Sequence, residues 1–176
     1  MEKVFGIDVS TWQKGFSFTQ AKNEGVKFAI LRGGYTGYGS SKSQAKDDQF
    51  ESHYKNAKTN GLGVGCYFFS RAVSKAEGEK EAAFLYENCL KGKQFEYPIY
   101  IDVEDEYYQV KAGKTAITNA IKGFCEYLEG KGYCVGIYSS AYWFRTYIDT
   151  SKVAKYEKYS QKPLIALVIA VFPALT

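Results

Sequence analysis

Histidine is nearly missing from the chain. His53 is the only one in 176 residues, so metal sites built on several imidazoles and triads that relay a proton through histidine find no support, and any hydrolysis would have to run on carboxylates. The four cysteines, Cys66, Cys89, Cys125 and Cys134, include no CxxC spacing; buried thiols in a reducing compartment are expected rather than a disulfide framework. Proline is scarce at 3 residues, and 45% apolar with 24% charged residues excludes collagen-like and disordered chains. The longest apolar stretch, Leu164 to Leu175, falls short of the ~20 residues a spanning helix needs, and Met1-Glu2-Lys3 opens no apolar signal core. Neither a membrane span nor a classical secretion signal is expected. The net charge of +4 is spread along the chain, which suits weak attraction to an anionic surface better than a nucleic-acid groove.

What the chain does have is alternation. Short runs rich in β-branched and aromatic residues recur at Val4–Val9, Phe28–Arg32, Val64–Phe69, Pro98–Glu104 and Cys134–Tyr138, with a sixth in the tail from Leu164. Between them, Thr19–Asn23, Asp47–Thr59, Ser74–Leu90 and Thr115–Glu129 read as amphipathic helices stopped by glycines. This is the pattern of right-handed β-α-β units on a parallel sheet, an α/β fold in a single domain covering residues 1–176. Asp8, Arg32, Tyr67, Asp102, Glu104 and Tyr138 all fall at C-terminal strand ends. In a β/α barrel that rim gathers the functional groups, and no glycine-rich nucleotide motif argues for an open sheet, so a barrel is preferred.

Strand alternation places Tyr100, Asp102 and Glu104 on one face and Ile99, Ile101 and Val103 on the other, toward helices. Two carboxylates side by side in a partly buried rim should raise at least one pKa and yield a general acid beside an ionised partner, the division of labour glycoside hydrolysis needs. Gly6, Asp8 and Ser10 bring a third carboxylate to the same rim, for catalysis or for a structural hydrogen bond. Tyr67, Tyr138 and Trp12 are candidate platforms for sugar rings, with core packing the alternative for the tyrosines and the preferred reading of Phe68 and Phe69. Arg32 would bind a substrate acyl or carboxylate group, or tie down a carboxylate such as Asp8. His53 reads as a helix-surface or packing residue without a catalytic role.

Gly6-Ile7-Asp8-Val9-Ser10-Thr11-Trp12-Gln13, then Phe28–Arg32, Asp47 with Phe50, Tyr67-Phe68-Phe69-Ser70, and Tyr100-Ile101-Asp102-Val103-Glu104 resemble, in order and spacing, the glycoside hydrolase family 25 lysozymes, the muramidase domains of phage endolysins and bacterial autolysins. The resemblance runs from about residue 3 to about residue 165. It implies a β/α barrel that cleaves the β-1,4 bond between N-acetylmuramic acid and N-acetylglucosamine in peptidoglycan, without metal or cofactor. Glu104 falls at the family's proton donor, and Asp102 and Asp8 at its supporting acidic positions. Whether Asp102 acts as nucleophile or positions the substrate's acetamido group stays open.

The tail departs from the family. After Lys162-Pro163-Leu164 the family continues with a Trp-containing sixth strand and two more, whereas here an apolar tail, residues 164–176, follows. Six strand candidates against eight, in a chain shorter than the ~200 residues at the low end for this fold, lead us to expect an incomplete barrel, truncated or frame-shifted near Leu164. Its unpaired strand edges, beside strand one and the tail, would invite self-association. Three functions compete: a muramidase acting on bacterial walls, made in the cytoplasm and released at lysis or exported; a catalytically impaired peptidoglycan-binding remnant of one; and, more weakly, a chitinase-like barrel, which would need a DxxDxDxE run.

Overall fold

The computed structural model describes residues 4–161 and 168–170. Its strands are β1 (Val4–Val9), β2 (Phe28–Thr36), β3 (Gln44–Lys46), β4 (Gly63–Phe69), β5 (Ile99–Asp102), β6 (Val135–Ser140), β7 (Glu157–Gln161) and β8 (Val168–Ala170). Six of them, β1, β2, β4, β5, β6 and β7, lie side by side in chain order and parallel. That is the curled parallel sheet of a β/α barrel, incomplete: among the described residues β7 and β8 are the two edges and do not meet. The helices between strands are α1 (Phe18–Asn23), α2 (Phe50–Thr59), α3 (Lys75–Leu85), α4 (Gln109–Ala112), α5 (Lys114–Glu129) and α6 (Ala141–Thr146). A π turn, Tyr86–Leu90, continues α3.

The alternation expected along the strands holds on both faces. Ile7, Val9, Leu31, Val64, Cys66, Phe68, Ile99, Ile101, Val103 and Ile137 form one core with the apolar faces of the helices. The opposite, concave face carries Phe28, Ile30, Tyr100 and Tyr138, with Tyr67 and Tyr97 packed against them. Gly6 belongs to this face and leaves its space to Phe28, whose ring lies 2.2 Å from where a Cβ would stand.

Serine caps start several elements because a short hydroxyl satisfies a first-turn amide. Ser74 accepts from the Glu77 amide at 3.2 Å and Ser140 from that of Trp143 at 3.3 Å. Helices α3 and α5 pack backbone to backbone: a Cβ on Gly78 would fall 2.1 Å from the Ala120 carbonyl oxygen, and one on Gly123 the same 2.1 Å from that of Lys75.

Three expectations need correction. The sixth parallel strand is Glu157–Gln161, ahead of Leu164, and the described part of the tail, Val168–Ala170, pairs antiparallel with β1. The edge of β1 is therefore covered rather than unpaired; residues 164–167 and 171–176 lie outside the described residues. Helix α2 begins at Phe50, since Asp47 spends its carboxylate on loop amides. Cys66, Cys89 and Cys125 are buried thiols as expected, whereas Cys134 is exposed.

Candidate active site

The site forms where the concave face meets the C-terminal strand ends. Asp8 comes from β1, Asp102 ends β5, and Glu104 stands two residues further on. Asp102 is level with Phe69 of β4 on one side and Tyr138 of β6 on the other. The segment that follows it is pinned to β6, since the Val103 amide donates to the Tyr138 carbonyl at 3.0 Å and Ser139 Oγ donates to the Val103 carbonyl at 2.6 Å.

Burial raises the pKa of all three carboxyls, and neighbouring negative charge adds to the rise at Asp102 and Glu104. Burial is the largest cause for each; Asp102 is pushed well above the carboxylate range, with Glu104 and Asp8 adding to the lift and Arg32 opposing it. Glu104 is raised by burial and by Asp8, against one hydrogen bond from the Ser140 amide. Asp8 is raised by burial alone. Asp8 Oδ2 and Asp102 Oδ1 are buried and meet no hydrogen-bond donor among the described residues. Carboxyls left so poorly solvated favour their protonated forms, and neighbours of like charge share protons rather than ionise together. Glu104 is half-buried and Asp102 only 5% exposed, so of the pair it is Glu104 that an incoming molecule can reach.

The tyrosines come together as well. Tyr67 and Tyr138 stack with ring centroids 5.8 Å apart at 15° between planes, and burial beside Asp102 keeps the Tyr67 phenol neutral. Phe68 is core and His53 is buried against Phe18, both as packing residues. Phe69 is not pure core: half-buried, it lies under the Arg71 guanidinium.

Arg32 does tie down a carboxylate, but Asp47 rather than Asp8: its Nε donates to Asp47 Oδ2 at 2.7 Å. Asp47 also accepts from the Thr11 amide at 2.9 Å and the Gln49 amide at 2.9 Å. It thereby anchors the turn Thr11–Gln13, which Ser10 and Gln13 close by a reciprocal capping box. The turn pushes Trp12 outward to 81% exposure. Trp12, Arg32, Tyr38, Phe69 and Arg71 line an open groove of about 500 Å³. Tyr38 also borders a second hollow of about 440 Å³ with Tyr107 and Tyr108.

Sequence reasoning missed Asp47 as a site residue, and with it Tyr38, Arg71, Asp105 and Glu81. Arg71 is buried under the Tyr38 ring, its Cζ 3.4 Å from the centroid. Glu81 is buried too, and desolvation pushes its pKa up to about 7. The only local signal was a charged residue just past a strand end, as at Arg71 and Asp105. Among the described residues no three His, Cys, Asp or Glu side chains are grouped to hold a metal ion, and no helix is long and apolar enough to cross a membrane.

A parallel β/α sheet whose C-terminal rim gathers buried carboxyls next to stacked aromatic rings has the architecture of the carboxylate glycoside hydrolases. The profile of the glycosyl hydrolases family 25 matches residues 7–162, and the chain belongs to that family. It is 32% identical over 85 residues to "Lysozyme M1" of Streptomyces globisporus, a match covering 48% of this chain and 26% of that protein. To the "Autolytic lysozyme" of Clostridium acetobutylicum it is 26% identical over 150 residues, covering 83% of this chain and 41% of the other. The crystal structure of the bacterial lysozyme from Streptomyces coelicolor superposes with a TM-score of 0.74 at 25% identity, covering 94% of this chain and 79% of that one. The chain thus matches less than half the length of each of the two curated relatives.

Proposed function

We propose that the chain hydrolyses peptidoglycan, cleaving the β-1,4 bond between N-acetylmuramic acid and N-acetylglucosamine, with Glu104 as proton donor. The observation that carries this reading is the set Asp8, Asp102 and Glu104 at one rim, where burial raises the pKa of each and like charge adds to the rise at Asp102 and Glu104. A glycosidic leaving oxygen needs a proton, and the accessible Glu104 supplies it. Asp102, ionised once that proton is localised on Glu104, opposes the positive charge that builds on the sugar ring, as nucleophile or by holding the acetamido group. Asp8 is the second negative group of the set. Arg32, close enough to favour ionised Asp102, is fixed by Asp47.

Half-buried Tyr67, backed by its stacked neighbour Tyr138, and exposed Trp12 are the rings on which sugar faces would pack. The substrate is a bacterial wall glycan, so the place of action is the cell wall. Pairing of the β7 edge between two copies would give self-association.

The test is release of new muramic-acid reducing ends from purified peptidoglycan by the 1–176 chain beside Glu104→Gln, with circular dichroism confirming that both are folded. Release by the parent and none by the variant is expected. No release from a folded parent, or equal release from both, overturns the reading.

A further inference from the structure

The residue after Glu104 is held by a buried polar network. Asp105 Oδ1 accepts from Arg71 Nε at 2.7 Å, Asp105 Oδ2 accepts from the Tyr108 amide at 2.6 Å, and the Asp105 amide donates to Gln109 Oε1 at 3.2 Å. Gln109, fully buried, donates through Nε2 to the Ala72 carbonyl at 3.3 Å. Arg71 donates to the Thr36 carbonyl and, through its amide, to Glu81 Oε1 at 3.0 Å. Glu81 accepts from the hydroxyls of Thr36 at 2.6 Å and Ser70 at 2.5 Å. The ends of β2 and β4 and the helix α3 are thereby tied to the backbone next to Glu104.

Stability alone does not account for this arrangement. A buried arginine and two buried carboxylates cost desolvation, and apolar residues of similar volume do as well or better. What a rigid charged network provides is position. Val103, on the other side of Glu104, is already pinned to β6, so Glu104 stands between two fixed neighbours.

We infer that Arg71, Asp105 and Gln109 are positioning residues for Glu104, holding its carboxyl in the half-buried place beside Asp102 and Asp8 from which a leaving oxygen is protonated. The inference rests on Glu104 being the acid. The groups that act on that carboxyl are Asp8 from β1, the neighbouring Asp102 from β5 and the Ser140 amide at the end of β6, while Arg32 from β2 and Tyr67 from β4 face Asp102. Burial and Asp8 raise the pKa of Glu104. Released from its anchor, the side chain turns toward water, both effects weaken, and the pH at which it ionises falls.

The experiment is the pH–rate profile of reducing-end release for the parent, Gln109→Met, Asp105→Asn and Glu104→Gln, with thermal unfolding of each. Gln109→Met keeps the charges and most of the volume, so it carries the test should Asp105→Asn fail to fold. Expected are a kcat lower by roughly tenfold to a hundredfold at little change in KM, and an alkaline limb displaced to lower pH in the folded variants. A limb that stays at the parent's pH, with activity lost only in proportion to unfolded protein, overturns the inference. Full activity in Glu104→Gln instead overturns the assignment of the acid, a separable failure.

Discussion

Arg32 and Asp47 form an ion pair at 2.7 Å in which the carboxylate side chain is wholly buried and the guanidinium 14% exposed. The pair joins the end of β2 to the turn that presents Trp12, and it keeps the guanidinium at the edge of the carboxyl set. Replacing Asp47 by Ala removes the partner of a largely buried cation and two amide contacts, so a loss of about 3–5 kcal/mol is expected in denaturant unfolding. A loss below about 1 kcal/mol would show that Arg32 is adequately served by the remaining site.

The raised carboxyls set the sign of a pH effect on stability. A carboxyl whose folded pKa exceeds its unfolded value binds more protons folded than unfolded between the two, so stability falls as pH rises through that window. For Asp8, Asp102 and Glu104 the window opens at the ordinary values of 3.8, 3.8 and 4.5 and extends upward; for Glu81 it runs from 4.5 to about 7. Asp102→Asn, which mimics the protonated form, is expected to raise Tm at neutral pH. The gain should vanish near about pH 3, where the parent is protonated as well. A variant less stable than the parent at neutral pH would contradict the raised pKa.

The same substitution should harm catalysis. Losing the negative partner of the developing positive charge is expected to lower kcat by roughly a hundredfold to a thousandfold, measured on peptidoglycan at fixed pH. A gain in stability coupled to a loss in rate would mark the carboxyl set as kept for chemistry. A rate within a factor of a few of the parent's would remove Asp102 from the charge-stabilising role.

Where α3 crosses α5, the Gly78 and Gly123 positions leave no room for a methyl group. Gly78→Ala or Gly123→Ala should force the helices apart and cost about 1–3 kcal/mol despite the better helix propensity of alanine. Urea unfolding decides it; a stabilised variant would show that the helices separate freely.

Trp12 is largely solvent-exposed on a turn closed by Ser10 and Gln13. Trp12→Ala should leave Tm within about 2 °C of the parent, since an exposed surface change lies within about ±0.5 kcal/mol, and should raise KM for wall glycan. An unchanged KM would take Trp12 out of the binding surface.

What the amino-acid order made legible is what alternates locally. Asp102 and Glu104 could be assigned to one face and Ile99, Ile101 and Val103 to the other because successive residues of a strand point oppositely. The sixth parallel strand could not be found this way: Glu157–Gln161 reads Glu-Lys-Tyr-Ser-Gln, with no apolar run to betray it, and its pairing is dictated by the neighbouring β6. The short β3 is hidden for the same reason. For Arg32 the strand pattern suggests a substrate group or a carboxylate such as Asp8; the partner it has, Asp47, is set by the loop after β3, which no local pattern announces. Arg71 meets Asp105 across 34 residues, a pairing no local pattern announces.

Because the six parallel strands stand in chain order, each new β-α unit finds its docking edge already exposed by the unit before it. Assembly can therefore run from the N-terminus in steps of short loop closure, which is kinetically cheap. The exception is β8, whose register against Val4, Phe5 and Gly6 spans nearly the whole described chain and so belongs to the slow end of folding. Asp8 is in place from the first unit, yet its carboxyl meets Asp102 and Glu104 only after β5 has docked. The set of three carboxyls is thus completed late, when more than half the chain has already been laid down.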